Sequence, residues 1–187
     1  MVNSKNGNDS NSWVAKLNLK FGTRHGKTCI IDKNQFGPLT LQKSFYPEGP
    51  VSHNYILHPP SGVVGRDKLF LNIESEDGSH ALITTPGATK FYRSKNEERS
   101  YVSNKLKINR NSKLEWLPQQ NIFFNGAHTD IETSIDIEDE GKFIGWEINC
   151  FGRPANKEFF SLGSINSQTS IFLDGELTLI DQIYIDN

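Results

Sequence analysis

The sequence predicts an all-β fold, and three observations carry that prediction. Apolar and polar residues alternate with a period of two along most of the chain, Gly-containing turn pairs punctuate the alternation, and no segment sustains a helical apolar period. Trp13, Ala15, Leu17, Leu19 and Phe21 fall on one face of the first strand, with Lys16, Asn18 and Lys20 on the other. Leu69, Leu71 and Ile73 repeat the pattern against Lys68 and Asn72. The clearest strand sets Ile131, Thr133, Ile135 and Ile137 against Asp130, Glu132, Asp136 and Glu138. One buried and one solvated face is the habit of antiparallel sheets, so many antiparallel strands are expected. Asp77-Gly78, Asn125-Gly126 and Glu140-Gly141 mark turns, and Asp174-Gly175 reads as the tight turn of a hairpin between Ser170–Leu173 and Glu176–Ile180. Short helices are expected only near residues 96–104 or 154–160. Strands of similar length in steady succession fit a helicoid-like stack or a two-sheet stack, and no repeat with fixed residues decides between them.

Composition bounds the function. The chain has 187 residues, the size of one domain, and a formal net charge of −2. With a pI near 6.2, it has no global basic field to hold nucleic acid. Hydrophobic residues make up only 35%, so the core depends on large side chains, the twelve Phe above all. Cys29 and Cys150 are too few for a disulfide framework and too far apart for a C-x-x-C motif, which fits a reducing, cytoplasmic setting. The polar opening, MVNSKNGNDSNS, lacks the apolar core of a signal peptide, and no apolar run reaches the ~18–20 residues of a membrane span. Residues 1–12 are therefore expected to be a disordered lead-in and residues 13–187 one β-rich domain. The final LTLIDQIYIDN stops within an apolar alternation, as if the domain were cut short at its C-terminus.

Four stretches are dense in Gly, Pro, Trp and polar groups: FYPEGPVSHNYILHPPSGVVGRDKL from Phe45, LITTPGATKFYRS from Leu82, LEWLPQQNIFFNGA from Leu114 and GWEINCFGRPANKEFF from Gly145. In order and spacing they resemble the urease accessory proteins of the UreD (UreD/UreH) family, and the likeness runs from Trp13 onward. The eleven residues from Thr84 to Ser94, TTPGATKFYRS, are its most specific part. There are departures: Gly65-Arg66-Asp67 stands where the family commonly has Gly-Gly-Asp, so a cation adjoins the carboxylate, and Gln120 stands where Glu is frequent. The resemblance implies a non-catalytic, helicoid-like β-protein, here the first two-thirds of the family's usual length. It also implies a chaperone in metallocentre assembly that binds apo-urease and UreF, reaches the GTPase UreG through UreF, and passes nickel along an internal wet path. No tightly bound cofactor is implied; nickel is a transient cargo.

Nickel accepts imidazole, thiolate and carboxylate ligands, and a relay needs weak successive sites rather than a closed cage. Glu48, His53, His58, Asp67, Glu115, Glu147 and Cys150 lie within the family-like blocks, without tight metal spacing. Asp67, Glu115 and Glu147 are the candidates for the path. Each has a plain alternative: Asp67 caps a Gly-rich turn or pairs with Arg66, and Glu115 and Glu147 oppose apolar neighbours and face solvent. His53 and His58 read more readily as structural imidazoles, Cys150 as a small core residue, and His25, His80 and His128 as solvated at turns. Tyr92 and Arg93, aimed by the Pro86-Gly87 turn, are the candidate partner-binding residues. Motifs of serine hydrolases, P-loop proteins and zinc proteases are missing. Two other classes remain open: a β-rich carbohydrate- or ligand-binding module, which needs coplanar exposed aromatics on one sheet, and a glycosidase using two of Asp67, Glu115 and Glu147.

Overall fold

A computed structural model describes residues 12–60 and 62–187. Residues 1–11 of the expected lead-in lie outside the described residues. Among the described residues, fifteen strands and one short 3-10 turn, Pro154–Asn156, make up the regular structure. The first strand, β1 (Val14–Arg24), is followed by its hairpin partner β2 (Lys27–Phe36), the two-residue β3 (Thr40–Leu41) and β4 (Ser52–Leu57). Three similar turns of chain then follow: β5 (Lys68–Ser75), β6 (His80–Thr84) and β7 (Thr89–Phe91); β8 (Ser100–Ile108), β9 (Lys113–Leu117) and β10 (Asn121–Phe123); β11 (Ala127–Ile137), β12 (Lys142–Gly145) and β13 (Asn149–Phe151). The last hairpin is β14 (Gly163–Leu173) and β15 (Glu176–Asp186).

These strands stack as the rungs of a three-sided solenoid. The wide side is a seven-stranded sheet in the order β15-β14-β11-β8-β5-β1-β2; a second side runs β12-β9-β6-β4-β3 and a third β13-β10-β7. Between rungs every pairing is parallel: β1 with β5, β5 with β8, β8 with β11 and β11 with β14 on the wide side, and likewise on the other two. Among the named strands of the described residues, antiparallel pairing involves only β2, β3 and β15 at the margins, with isolated antiparallel bridges at Phe45–His53 and Arg153–Glu158. This corrects the expectation of many antiparallel strands. Alternation reports that one face is buried and the other solvated, not which way the neighbouring strand runs. In a solenoid the inner face closes on the axis while the outer face stays wet, so parallel strands carry the sidedness usually seen in antiparallel ones.

The core follows from rung-on-rung register. Leu19, Ile73, Leu106, Ile135 and Ile171 stand over one another, four of them buried and the last partly so. On the third side Phe91, Phe123 and Phe151 stack with ring centroids 4.9 and 5.3 Å apart, at interplanar angles of 23° and 14°. Each such contact contributes about 0.5–1.5 kcal/mol beyond burial of its area. The Phe-rich composition thus supplies a continuous inner seam. The expected Asp174-Gly175 hairpin is present: both residues have positive φ, at 50° and 80°, and Leu173 pairs with Glu176. Of the two helical expectations, the 154–160 stretch holds the 3-10 turn, whereas Ser100 onward is strand β8. There the inward Leu106 and Ile108 must meet their parallel neighbours, and tertiary pairing overrides local preference.

Candidate functional site

The four dense blocks of sequence occupy the same place on successive rungs. Leu57 to Pro60 leave the second side of the solenoid, and Thr85 to Ala88, Pro118 to Gln120 and Trp146 to Ile148 each turn the chain from that side to the third. Proline fixes φ and so sets sharp corners with little loss of chain entropy. The corners are tied to one another: Thr84 Oγ1 donates to the Leu117 carbonyl (2.6 Å), the Gln119 N–H to Thr85 Oγ1 (3.0 Å), and the Trp146 indole N–H to the Pro118 carbonyl (2.8 Å). Blocks scattered over a hundred residues of sequence form one ridge.

Behind that ridge lies a cavity of about 820 Å³ that follows the solenoid axis, from Leu39, Ile56 and His58 at the first rung to Leu179 and Asp181 at the last. Its wall changes character along the way. On the wide side, Leu17, Leu71, Asn104, Thr133 and Thr169 form one column of the register. The two leucines are buried and apolar; Asn104 Nδ2 then donates to Thr133 Oγ1 (3.2 Å), beginning a polar strip. Across the lumen, Asn121 Nδ2 donates to Asn149 Oδ1 (3.1 Å), Asn149 Nδ2 to Glu147 Oε1 (2.7 Å), and Ser167 Oγ to the same oxygen (2.8 Å). Glu147 is thus a carboxylate held by two donors at the polar end of the cavity, with Asp181 also in the wall.

The three candidate carboxylates do not share this place. Asp67, 2% exposed, accepts the Trp13 N–H on Oδ1 (2.8 Å) and the Val64 N–H on Oδ2 (2.9 Å), which fastens the corner that leads into β5. Its neighbour Arg66 reaches Glu98 at 3.3 Å. Glu115 points outward, because Leu114 is fully buried and Trp116 lines the cavity; its Oε1 lies 2.7 Å from His80 Nε2. His80 is accordingly half-buried and partnered rather than solvated. Only Glu147 borders the lumen, and it is also exposed to solvent. His58 is there too, and burial pushes its imidazole below the ordinary range, against an opposing pull from the Asp67 charge. Among the described residues no cluster of three or more His, Cys, Asp or Glu is placed to hold a metal ion.

Tyr92 and Arg93 lie on the outside of the third side. Tyr92 packs its ring over Gly62 and against Phe124, at 4.8 Å between centroids, and the Arg153 guanidinium caps Phe124 at 4.6 Å. Arg153 is in turn paired with Glu158, whose carboxyl this contact holds below the usual range. Arg93 is exposed and lies across Gly126, where a Cβ would come within 2.8 Å of its Cγ and where φ is +82°. The neutral lumen groups Asn104, Thr133, Thr169 and Asn121, and Asn149 bonded to Asn121, were not singled out from sequence. The available signal was polar residues on an otherwise apolar strand face, and Thr133 among Ile131, Ile135 and Ile137 shows it.

Comparison with known proteins is consistent from end to end. The family model described as UreD urease accessory protein matches residues 14–187. The chain is 47% identical over 178 residues to the urease accessory protein UreD of Vibrio parahaemolyticus, covering 95% of this chain and 63% of that one. It is 47% identical over 174 residues to the Escherichia coli protein of that name (93% and 62%) and 43% identical over 188 residues to that of Alcanivorax borkumensis (98% and 64%). The chain thus spans 62–64% of the length of the first such relatives.

Proposed function

Since the chain belongs to the UreD urease accessory protein family, we propose that it acts in urease maturation as a non-catalytic scaffold that passes nickel to the urease apoprotein. In this reading it is a cytoplasmic chaperone formed from one β-rich domain. It binds the urease apoprotein and UreF, and meets UreG through UreF. One observation carries the proposal: the axial cavity of about 820 Å³, whose wall becomes a strip of amide and hydroxyl groups leading to Glu147 and Asp181. Neutral oxygens and single carboxylates hold a hydrated divalent cation weakly, and a conduit needs successive weak sites where a tight cage would trap the ion. Glu147 is the path carboxylate; Asp67 and Glu115 act around the path by fixing the corner and the outer wall. Tyr92 and Arg93 present a partner-facing patch, in which Arg93 is the exposed anchor.

The competing classes have less support. The exposed aromatics Trp13, Phe36, Phe45, Trp146, Phe159 and Tyr184 are spread over separate elements rather than laid along one sheet face. Asp67, Glu115 and Glu147 occupy a buried corner, an outer wall and the lumen, so they offer no acid–base pair across one cleft. The test is co-expression of the chain with a urease apoprotein, UreF and UreG, scoring co-purification and urease activity. The chain co-purifies, and Thr133→Phe, which plugs the polar strip, lowers activity several-fold without loss of complex. Absence of the chain from both the UreF and urease pull-downs overturns the scaffold reading; full activity with a plugged lumen overturns the path.

A further inference from the structure

The Asn125-Gly126 corner between β10 and β11 holds a reactive pair that the nickel reading leaves unused. Glycine has no Cβ to shield its nitrogen, so in an open chain the Gly126 nitrogen can attack Cγ of Asn125. The new N–C bond closes a succinimide, and the side-chain amide takes up the Gly126 proton and leaves as ammonia. Water then opens the ring to aspartate or isoaspartate. In the fold both reacting groups are engaged elsewhere. The Gly126 N–H donates to the Leu162 carbonyl (2.7 Å). Asn125 Oδ1 accepts the N–H groups of Ser161 and Leu162 (2.9 Å each) and, at 3.4 Å, the Ser161 hydroxyl. The Asn125 N–H in turn donates to Glu158 Oε1 (3.3 Å). The segment from Glu158 to Leu162 thus latches the pair.

The corner needs both residues. Gly126 has a φ of +82°, and a Cβ there would come within 2.8 Å of Arg93 Cγ, so glycine is favoured on two counts. Asn125 supplies a neutral acceptor for two N–H groups where a carboxylate would adjoin Glu158. The Gly126 carbonyl also accepts the Ser94 N–H (3.0 Å), which fixes the backbone just after Arg93. An isoaspartate routes the chain through Cβ and adds one methylene between Phe124 and Gly126. That shift moves Gly126 off both Leu162 and Ser94. We propose that Asn125 is a deamidation site held latent by Ser161 and Leu162 and released by local opening of residues 158–162, and that its conversion to isoaspartate unseats Arg93.

The test ages the 187-residue chain in mildly alkaline buffer and maps its peptides by mass spectrometry. Mapping resolves Asn125 from Asn6, which heads the other Asn-Gly pair. The reference is a synthetic peptide of residues 121–130. Asn125 in the folded chain is expected to deamidate at least tenfold more slowly than in that peptide. The Gly126 nitrogen is the nucleophile, so its own amide should show the same factor, within about threefold, as protection from hydrogen exchange. Ser161→Pro deletes one donor to Oδ1 and brings the rate toward that of the peptide. In the isoaspartate form, separated by chromatography, the Ser94 amide loses its protection. A folded chain that deamidates at the peptide's rate overturns the proposal, as does a folded Ser161→Pro whose rate is unchanged. Where Ser161→Pro does not fold, the unaltered chain decides: slow deamidation beside an unprotected Gly126 amide overturns the latch. A Ser94 amide that stays protected in the isoaspartate form overturns the unseating of Arg93.

Discussion

The two ends of the lumen use the same scaffold position for opposite purposes. In one column of the wide sheet, the first two rungs place Leu17 and Leu71 and the next three place Asn104, Thr133 and Thr169. The adjacent column, Leu19 to Ile171, stays apolar throughout. Stability needs only that the inner face be filled, so the polar half of one column marks where the fold gives up apolar burial for a wet wall. Asp67 and Glu147 show the same division among carboxylates. One is saturated by backbone donors in a closed corner, and the other faces the cavity with side-chain donors.

Exchanging the column's chemistry breaks this comparison most directly. Leu71→Asn loses a buried leucyl group and sets an amide between Leu17 and Asn104; urea unfolding should show a loss of about 2–5 kcal/mol. Asn104→Leu should change stability by no more than about 1 kcal/mol, because it removes a hydrogen bond but adds apolar burial. An equal loss at both positions would mean that the polar half is structural. Asp67→Ala comes next, at about 2–4 kcal/mol, since it strands the Trp13 and Val64 N–H groups. Glu147→Gln keeps an acceptor in place and should cost under about 1 kcal/mol by the same measurement. The smallest effect is the pH dependence at His58. Its folded-state pKa is depressed, so the unfolded chain takes up the proton first as pH falls; stability is intact above the ordinary imidazole pKa and declines as pH drops from there through the folded value. His58→Gln should flatten that slope in urea midpoints measured between about pH 7 and pH 5.

Much of the wall was readable from the chain. Alternation correctly assigned the inward residues of β1, β5 and β11, and the Asp-Gly rule found the terminal hairpin. Strand direction was not readable, because burial sidedness is the same for either direction once the sheet closes on an axis. Glu147 was set opposite Trp146 by a strand rule, yet residues 146–148 form a corner between β12 and β13, and both side chains meet the lumen. The polar strip escaped notice because its members are neutral and lie on separate rungs. Their alignment depends on spacings that vary from rung to rung, so no fixed repeat announces it. Asp67 had its turn-capping role written in the Gly-rich approach, and the two N–H contacts bear that reading out.

Those unequal spacings also bear on the order of assembly. Ser100 finds its rung partner at Thr129, and Lys68 finds its own at Tyr101, whereas Val14 must wait for Lys68 across the β2 hairpin and the β4 corner. Each doubling of the intervening chain adds about 0.6 kcal/mol of closure entropy. The middle rungs are thus the natural nucleus, with zippering outward from β8 and β11, and the N-terminal strand docks late onto a template already formed.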